Sequence, residues 1–253
     1  MKLASDATIA SEPMRLAVRR GRALLEHTRD SLPGHVGSSL RCFSCHLNEG
    51  NRPNALPLTG VHSRYPQYRP RSGMITLLED RVNDCFERSL NGKALPLEGQ
   101  DMRDIVSYLA FISTGVAPPG DVLGQGLRAI APRTPDLGRG RAIFSETCSR
   151  CHGSNGAGTG LAPAVWGPRS FNLGAGMGRL RTAAAFIRDN MPADQAMELT
   201  DQQAFDVAGY LLSQPRPDFP RKADDWPNGD APADVAYPTR GSSLKGSAPH
   251  PKP

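Results

Sequence analysis

Four of the five cysteines in this chain fall into two copies of one short pattern. The copies, each reading C-x-x-C-H, are Cys42-Phe43-Ser44-Cys45-His46 and Cys148-Ser149-Arg150-Cys151-His152. Two thiols at this spacing can form thioether bonds to the vinyl groups of one haem, while the histidine that follows supplies an imidazole to the iron. The sequence therefore predicts two covalently bound c-type haems, attached through four cysteines and held by two histidines: Cys42, Cys45, Cys148, Cys151, His46 and His152.

Two other uses of C-x-x-C pairs are weaker interpretations. A structural zinc site needs its two pairs close in sequence or joined by a small ribbon, and here the pairs lie far apart. A pair of redox dithiols would leave the histidine that follows each motif unexplained. We therefore favour covalent haem over zinc and over dithiol chemistry.

The fifth cysteine, Cys85, lies alone in the segment RVNDCFERSLNGKALP at residues 81–96. An unpaired thiol in an oxidising compartment is a hazard unless it is used. The alternative is a small buried side chain in a helix predicted over MITLLEDRVNDCFERSL, residues 74–90. Met191 lies 39 positions after His152, and the residue 39 positions after His46 is Cys85. This match favours Cys85 as the second ligand of the first iron, although alignment on the closing helices would place Ser89 opposite Met191.

The second iron also needs a distal ligand, and Met191 is the candidate. It lies in DNMPAD, where a Met-Pro pair on a loop after a short helix can present a thioether to the iron. The alternative for Met191 is a core methionine, and its rivals as ligand are Met177 and, less plausibly, Met197.

The chain contains an internal duplication that defines its domains. RGRALLEHT at 20–28 resembles RGRAIFSET at 139–147, and DIVSYL at 104–109 resembles DVAGYL at 206–211. Each half reads as an amphipathic helix, a C-x-x-C-H motif, a long loop and a closing helix. We expect an all-α fold with two cytochrome c-like domains in tandem. The predicted ranges are a first domain at 1–114, a linker at 115–138, a second domain at 139–213 and an extended tail at 214–253 whose end is disordered.

Composition limits the functional classes. The 253 residues carry a formal charge of +5 with a pI of about 9.1, yet no basic run with interleaved aromatic residues indicates nucleic-acid binding. No run approaches the ~18 apolar residues of a membrane span. The first residues lack an apolar core for a signal peptide, although haem attachment to C-x-x-C-H takes place outside the cytoplasm. We expect a soluble periplasmic protein whose signal peptide is absent from this chain.

Three segments together resemble a known family. They are RVNDCFERSLNGKALP, the preceding RPRSGMITLLED, and LAPAVWGPRSFNLGAGMGRLRTAAAFIRDNMP. They are similar to the dihaem thiosulfate dehydrogenases, the tetrathionate-forming family related to the SoxA cytochromes. The resemblance extends from about Arg15 to about Tyr237, and the Cys85 segment is its most specific part.

The resemblance implies a division of labour between the haems. The first haem, with His46 and Cys85 as ligands, would be the catalytic centre, and the second, with His152 and Met191, would pass electrons outward. Some members have a lysine that competes for the iron just before this methionine, whereas this chain has Asn190. The family's substrate-binding arginines correspond to Arg71 and Arg81, and further cationic candidates nearby are Arg64, Arg69 and Lys93.

The activity implied is the coupling of two thiosulfate ions to tetrathionate with release of two electrons, with a small redox protein as acceptor. Cys85 could form a covalent adduct with one substrate while the second attacks. Two alternatives remain: an electron-transfer cytochrome without catalysis, in which Met or His could replace Cys85, and a SoxA-like cytochrome acting on a protein-bound sulfur carrier.

Overall fold

The computed structural model describes residues 5–116, 122 and 124–241. Helices joined by long loops make up most of the described chain. The α-helices are α1 (Glu12–Glu26), α2 (Thr28–Ser31), α3 (Leu47–Gly50), α4 (Leu78–Asp84), α5 (Gln100–Ile112), α6 (Leu137–Ile143), α7 (Ser149–His152), α8 (Leu180–Asn190) and α9 (Asp201–Ser213). Short 3₁₀ turns lie at Asp6–Thr8, Cys42–Ser44, His62–Arg64, Gly176–Gly178 and Lys222–Asp224, and π-helical turns at Cys85–Ser89 and Phe144–Cys148.

A two-stranded hairpin interrupts the helical pattern before α4. Strand β1 (Gln67–Arg69) pairs antiparallel with β2 (Met74–Thr76), with Tyr68 opposite Ile75. The helix predicted over residues 74–90 is therefore wrong at its start, because its first three residues form a strand and the helix begins at Leu78. Apart from this hairpin, the regular elements of the described residues are helical, as the predicted all-α class requires.

In the first half, α1 packs directly on α5 through a glycine. Gly21 lies so close to α5 that a Cβ there would be 2.0 Å from the Asp104 carbonyl oxygen and 2.9 Å from Tyr108 Cβ. The neighbouring Arg20 donates through Nη1 to the Asp104 carboxylate at 2.5 Å. The glycine allows close contact between the helices, and the ion pair beside it fixes their register.

The second half repeats this contact with the equivalent residues. A Cβ on Gly140 of α6 would lie 2.0 Å from the Asp206 carbonyl oxygen and 2.9 Å from Tyr210 Cβ in α9. Arg139 Nε donates to the buried Asp206 carboxylate at 3.0 Å. The repeated sequence RGR therefore has the same structural role in both halves.

Each half has its own hydrophobic core. The first core contains buried residues of α1, α4 and α5, and Cys42 and Cys45 pack against it. The second contains buried residues of α8 and α9, and Cys148 and Met191 pack against that one. We call these two halves the first unit and the second unit.

The segments outside the two units are irregular. Of the predicted linker at 115–138, residues 117–121 and 123 lie outside the described residues, as does the end of the predicted tail from 242 onward. The described tail returns to the first unit, where Phe219, Asp225 and Trp226 become buried. Among the described residues, no helix is both long enough and apolar enough to cross a membrane.

The close helix contact predicts a stability effect. Gly21→Ala places a methyl group against a backbone carbonyl that cannot move without separating α1 from α5. We expect a loss of about 1–3 kcal/mol in the free energy of unfolding, despite the better helix propensity of alanine. Gly34→Ala is the matched control, because a Cβ there meets nothing within 4 Å. Denaturant unfolding of the haem-loaded proteins measures both, and equal stability of the two variants would contradict this packing argument.

Candidate functional site

The first C-x-x-C-H motif is held against the first core by Thr28. The buried Thr28 hydroxyl donates to the Leu25 carbonyl at 2.9 Å and accepts from the Cys42 backbone N–H at 3.1 Å. Burial raises the pKa of the Cys42 and Cys45 thiols to about 12. Both side chains are therefore neutral thiols, packed where a haem attached to them would join the core.

Both motif histidines are held in the tautomer that iron binding requires. Nδ1 of His46 lies 2.5 Å from the Leu56 carbonyl oxygen, and Nδ1 of His152 lies 2.8 Å from the Pro163 carbonyl oxygen. Because a carbonyl can only accept, each Nδ1 carries the proton and each Nε2 keeps its lone pair for a metal. The two motifs therefore fit c-type haem, with thiols and a metal-binding nitrogen on one short turn.

Cys85 lies at the start of the π-helical turn Cys85–Ser89, directly after α4. Its carbonyl accepts from the Leu90 N–H, five residues on, at 2.9 Å. Such π turns inside helices frequently occur at functional sites. Arg81, one helical turn earlier, donates through Nη1 to Cys85 Sγ at 2.9 Å. The predicted pair Arg81 and Cys85 is thus in direct contact.

The charge of Cys85 differs from that of the two motif thiols beside it. Burial alone would raise the pKa of Cys85, but the Arg81 charge and the adjacent His46 imidazole outweigh it and lower the pKa to about 7. The same contact also affects Arg81, because the negative charge of Cys85 raises the pKa of Arg81 above its usual range. The structure therefore brings His46, Cys85 and Arg81 together, with Cys85 as a thiol that ionises readily.

Arg71 lies in a different set of contacts. It donates through Nη1 to the Gly174 carbonyl at 2.7 Å, and its guanidinium stacks 4.5 Å from the centre of the Trp226 ring. Burial, together with the Arg88 charge, lowers the pKa of Arg71 to about 10. Arg71 therefore shares the Gly174 carbonyl as acceptor with Arg88 of the Cys85 segment and makes no hydrogen bond to the Cys85 thiol among the described residues. In the described part of the chain, three further cationic candidates also make no hydrogen bond to Cys85: Arg64, Arg69 and Lys93.

Arg88 is a residue of this region that the sequence interpretation missed. Its guanidinium donates twice to the buried Asp225 carboxylate, at 2.8 and 2.9 Å, and lies 4.2 Å above the Phe219 ring. The only sequence signal was its position three residues after Cys85 on the same helical segment. Its partner Asp225 lies 137 positions away in the tail, so no local pattern could identify the pair.

In the second unit, Met191 is the methionine that lies with the haem-attachment residues. It directly follows the last residue of α8, and its N–H donates to the Ile187 carbonyl at 2.9 Å. Its side chain packs against the same core as Cys148. Met177 lies in a separate 3₁₀ turn outside that cluster, and Met197 is 61% exposed. Burial raises the pKa of the Cys148 thiol to about 11, so it too is neutral.

Asn190, next to Met191, connects the two units. Its side-chain nitrogen donates to the Asn54 carbonyl at 2.9 Å and to the Phe186 carbonyl at 3.2 Å. Asn54 lies two residues before Leu56, the carbonyl partner of His46. The position that carries a lysine in some similar proteins is therefore occupied here by a buried amide bound to the loop beside His46.

Comparison with known proteins agrees with this arrangement. The family description "SoxA/TsdA, cytochrome c domain" matches residues 33–117, and "Cytochrome C oxidase, cbb3-type, subunit III" matches residues 135–211. The chain is 44% identical to thiosulfate dehydrogenase of Psychrobacter arcticus, over 93% of this chain and 74% of that protein. It is 43% identical to thiosulfate dehydrogenase of Allochromatium vinosum, over 83% of this chain and 82% of that protein.

A solved structure has the same fold. Thiosulfate dehydrogenase (TsdBA) from Marichromatium purpuratum matches with a TM-score of 0.81 and 34% identity. The match covers 87% of this chain but only 50% of that longer chain. The two family matches and this structure confirm the predicted fold with two cytochrome c domains.

Met191 can be tested spectroscopically. We expect Met191→Gly to abolish the thioether-to-iron charge-transfer band and to lower the potential of that haem by an amount on the order of 0.1 V, because a soft ligand stabilises ferrous iron. Met197→Gly is the matched control and should leave both unchanged. Optical spectra and redox titration measure these quantities. A Met191→Gly protein with its band intact would transfer the assignment to Met177.

Proposed function

Because the chain belongs to the thiosulfate dehydrogenase family of dihaem c-type cytochromes, we propose that it couples two thiosulfate ions into one tetrathionate ion and releases two electrons. The observation that carries this proposal is the contact between the Arg81 guanidinium and the Cys85 thiol at 2.9 Å. Cys85 is the reacting sulfur, Arg81 the cation that binds its charge, and Arg71 a second cation in the neighbouring cluster with Arg88.

The charges of the substrates explain why cations are needed. Thiosulfate is a dianion, so bringing two together concentrates four negative charges near an anionic Cys85. A guanidinium presents paired donors that match a sulfonate edge, and it stays charged when partly buried. Arg81 lies within reach of any anion bound at Cys85, whereas Arg71 adds its charge from the neighbouring cluster with Arg88.

The reaction divides into two balanced steps at Cys85. In the first, the Cys85 thiolate and one thiosulfate join through a new S–S bond and lose two electrons, which leaves a Cys85–S–SO₃⁻-type adduct with one fewer unit of negative charge than thiosulfate. In the second, the terminal sulfur of another thiosulfate attacks the adduct, tetrathionate forms, and the Cys85 thiolate leaves. Such a covalent intermediate divides one difficult step into two easier ones.

The protein's own residues have distinct tasks in these steps. Arg81 keeps Cys85 ionised before the first step and stabilises the thiolate that leaves in the second. The haems, which we assign to His46 with Cys85 and to His152 with Met191, supply two centres that each accept one electron. Asn190 and the Asn54 loop provide a direct connection between the units that carry them.

The remaining parts of the proposal concern the surroundings of the enzyme. We assign the final electron acceptor to a small redox protein and the location to the periplasm, where c-type haems are attached. The second step is a thiol exchange, which is reversible in principle, so the same site could also reduce tetrathionate. Haem potentials set by ligands and burial would determine the preferred direction.

The role of Cys85 is tested by two substitutions at one position. If Cys85 reacts with sulfur, Cys85→Met and Cys85→Gly should both lose tetrathionate formation by at least about 10³-fold, as expected when a covalent nucleophile is removed. The assay is thiosulfate with ferricyanide, and mass spectrometry checks that both haems remain attached. Substantial turnover by Cys85→Met would show that Cys85 only ligates iron and would favour a pure electron carrier or another active site.

Arg81 should act on the same step through its charge. We expect Arg81→Gln to lower kcat/KM by roughly 10²- to 10³-fold, the range found when one donor to a reacting anion is removed. Arg81→Lys keeps the charge and should recover part of this loss. Arg69→Gln is the matched control, because Arg69 makes no hydrogen bond to Cys85. Similar losses in the Arg69 and Arg81 variants would indicate general attraction of the anion instead of a specific contact.

A further inference from the structure

Arg216 lies just beyond α9, where the chain runs back along the loop of residues 163–173. The carbonyl before it, on Pro215, accepts from Gly167 N–H at 2.7 Å. The carbonyl after it, on Pro217, accepts from Leu173 N–H at 3.0 Å. These two bonds hold the backbone of Arg216 against the loop from both sides.

The guanidinium of Arg216 is buried without a counter-charge. It lies 4.4 Å above the Phe171 ring and donates through Nη2 to the Leu211 carbonyl at 2.6 Å. Its Nε and Nη1 are buried and have no hydrogen-bond partner in the described chain, and the same is true of the hydroxyl of Ser170, next to Phe171. Burial alone lowers the pKa of Arg216 to about 10. An unpaired buried cation is costly in free energy, and an anionic acceptor beside these donors would remove that cost.

The two chain segments at this place come from the second unit, and Phe171 packs against the first core. The loop begins at Pro163, whose carbonyl holds Nδ1 of His152 at 2.8 Å. Helix α9, which leads into Arg216, contributes Leu211 and Leu212 to the core that contains Cys148. The unpartnered donors therefore lie on segments that lead to the second C-x-x-C-H motif, at their border with the first core.

A haem attached at this motif brings two propionate carboxylates into the second unit. A carboxylate accepts two parallel hydrogen bonds from a guanidinium, and a third from a hydroxyl. We propose that Arg216, together with Ser170, binds a propionate of the second haem as a positioning residue. The proposal rests on haem attachment at Cys148 and Cys151 and is independent of the sulfur chemistry at Cys85.

The binding of a propionate by Arg216 has a consequence for electron transfer. A cation close to the haem favours the reduced iron, which carries one fewer positive charge. Loss of the guanidinium should therefore lower the potential of the second haem and leave that of the first haem unchanged.

The experiment is a spectroelectrochemical titration of the haem-loaded Arg216→Met protein, in which different ligand sets distinguish the two haems. We expect the second haem to shift to lower potential, by several times the shift in Arg221→Met, and Arg216→Lys to keep most of the original value. Arg221 is the matched control because it lies in the same tail but is exposed and paired with Glu87. A shift equal to that of Arg221→Met, or one confined to the first haem, would overturn the proposal.

Two further measurements complete the test. If the acceptor were a free oxyanion, the second-haem potential of the unaltered protein would change with sulfate concentration at constant ionic strength, whereas a propionate predicts no change. If Arg216→Met does not retain both haems by mass, Ser170→Ala provides the same test. It should lower the second-haem potential by a smaller amount, and unaltered potentials in that variant would contradict propionate binding.

Discussion

The contact between the Arg81 guanidinium and the Cys85 thiol is the interaction on which the proposed chemistry of this protein depends. Three cysteines lie together in the first unit, and before haem attachment burial raises the pKa of Cys42 and Cys45 to about 12. Cys85 is subject to the same burial, yet its pKa falls to about 7 because a cation lies one helical turn before it. Because haem attachment converts Cys42 and Cys45 into thioethers, Cys85 is the one of these three cysteines that keeps an ionisable thiol, and the Arg81 guanidinium favours its anionic form.

The first unit contains two further arginines, Arg71 and Arg88, whose guanidinium groups contact residues of the tail. The π-helical turn after Cys85 carries Arg88, which is largely buried and would be costly without a partner. The Asp225 carboxylate accepts two hydrogen bonds from Arg88 and a third from the Tyr237 hydroxyl at 2.6 Å. The tail is thus a structural part of the first unit: it neutralises Arg88, and its Trp226 supports the guanidinium of Arg71.

How much of this could be predicted from the sequence depends on how far apart the partners lie. Arg81 and Cys85 are one helical turn apart, so their contact followed from the helix period. The duplicated RGR and DxxxYL segments likewise predicted an opening and a closing helix in each unit, whereas the glycine contact between these helices is a finding of the structure. By contrast, the pairing of Met74–Thr76 with Gln67–Arg69 replaced the start of a predicted helix, because strand pairing depends on a neighbour outside the local pattern. The partnership of Arg88 with Asp225 spans 137 positions and carries no local signal at all.

Comparison of the two units explains how one scaffold can serve two purposes. Both use the same glycine contact between helices and the same Nδ1-to-carbonyl bond on the motif histidine, at Leu56 and Pro163. They differ at the residue that we propose as the distal iron ligand and one helical turn before it. Cys85 follows Arg81, whereas Met191 follows the buried aliphatic Ile187. An anionic sulfur needs a counter-charge and a neutral thioether does not, so converting one site into the other requires both residues to change together.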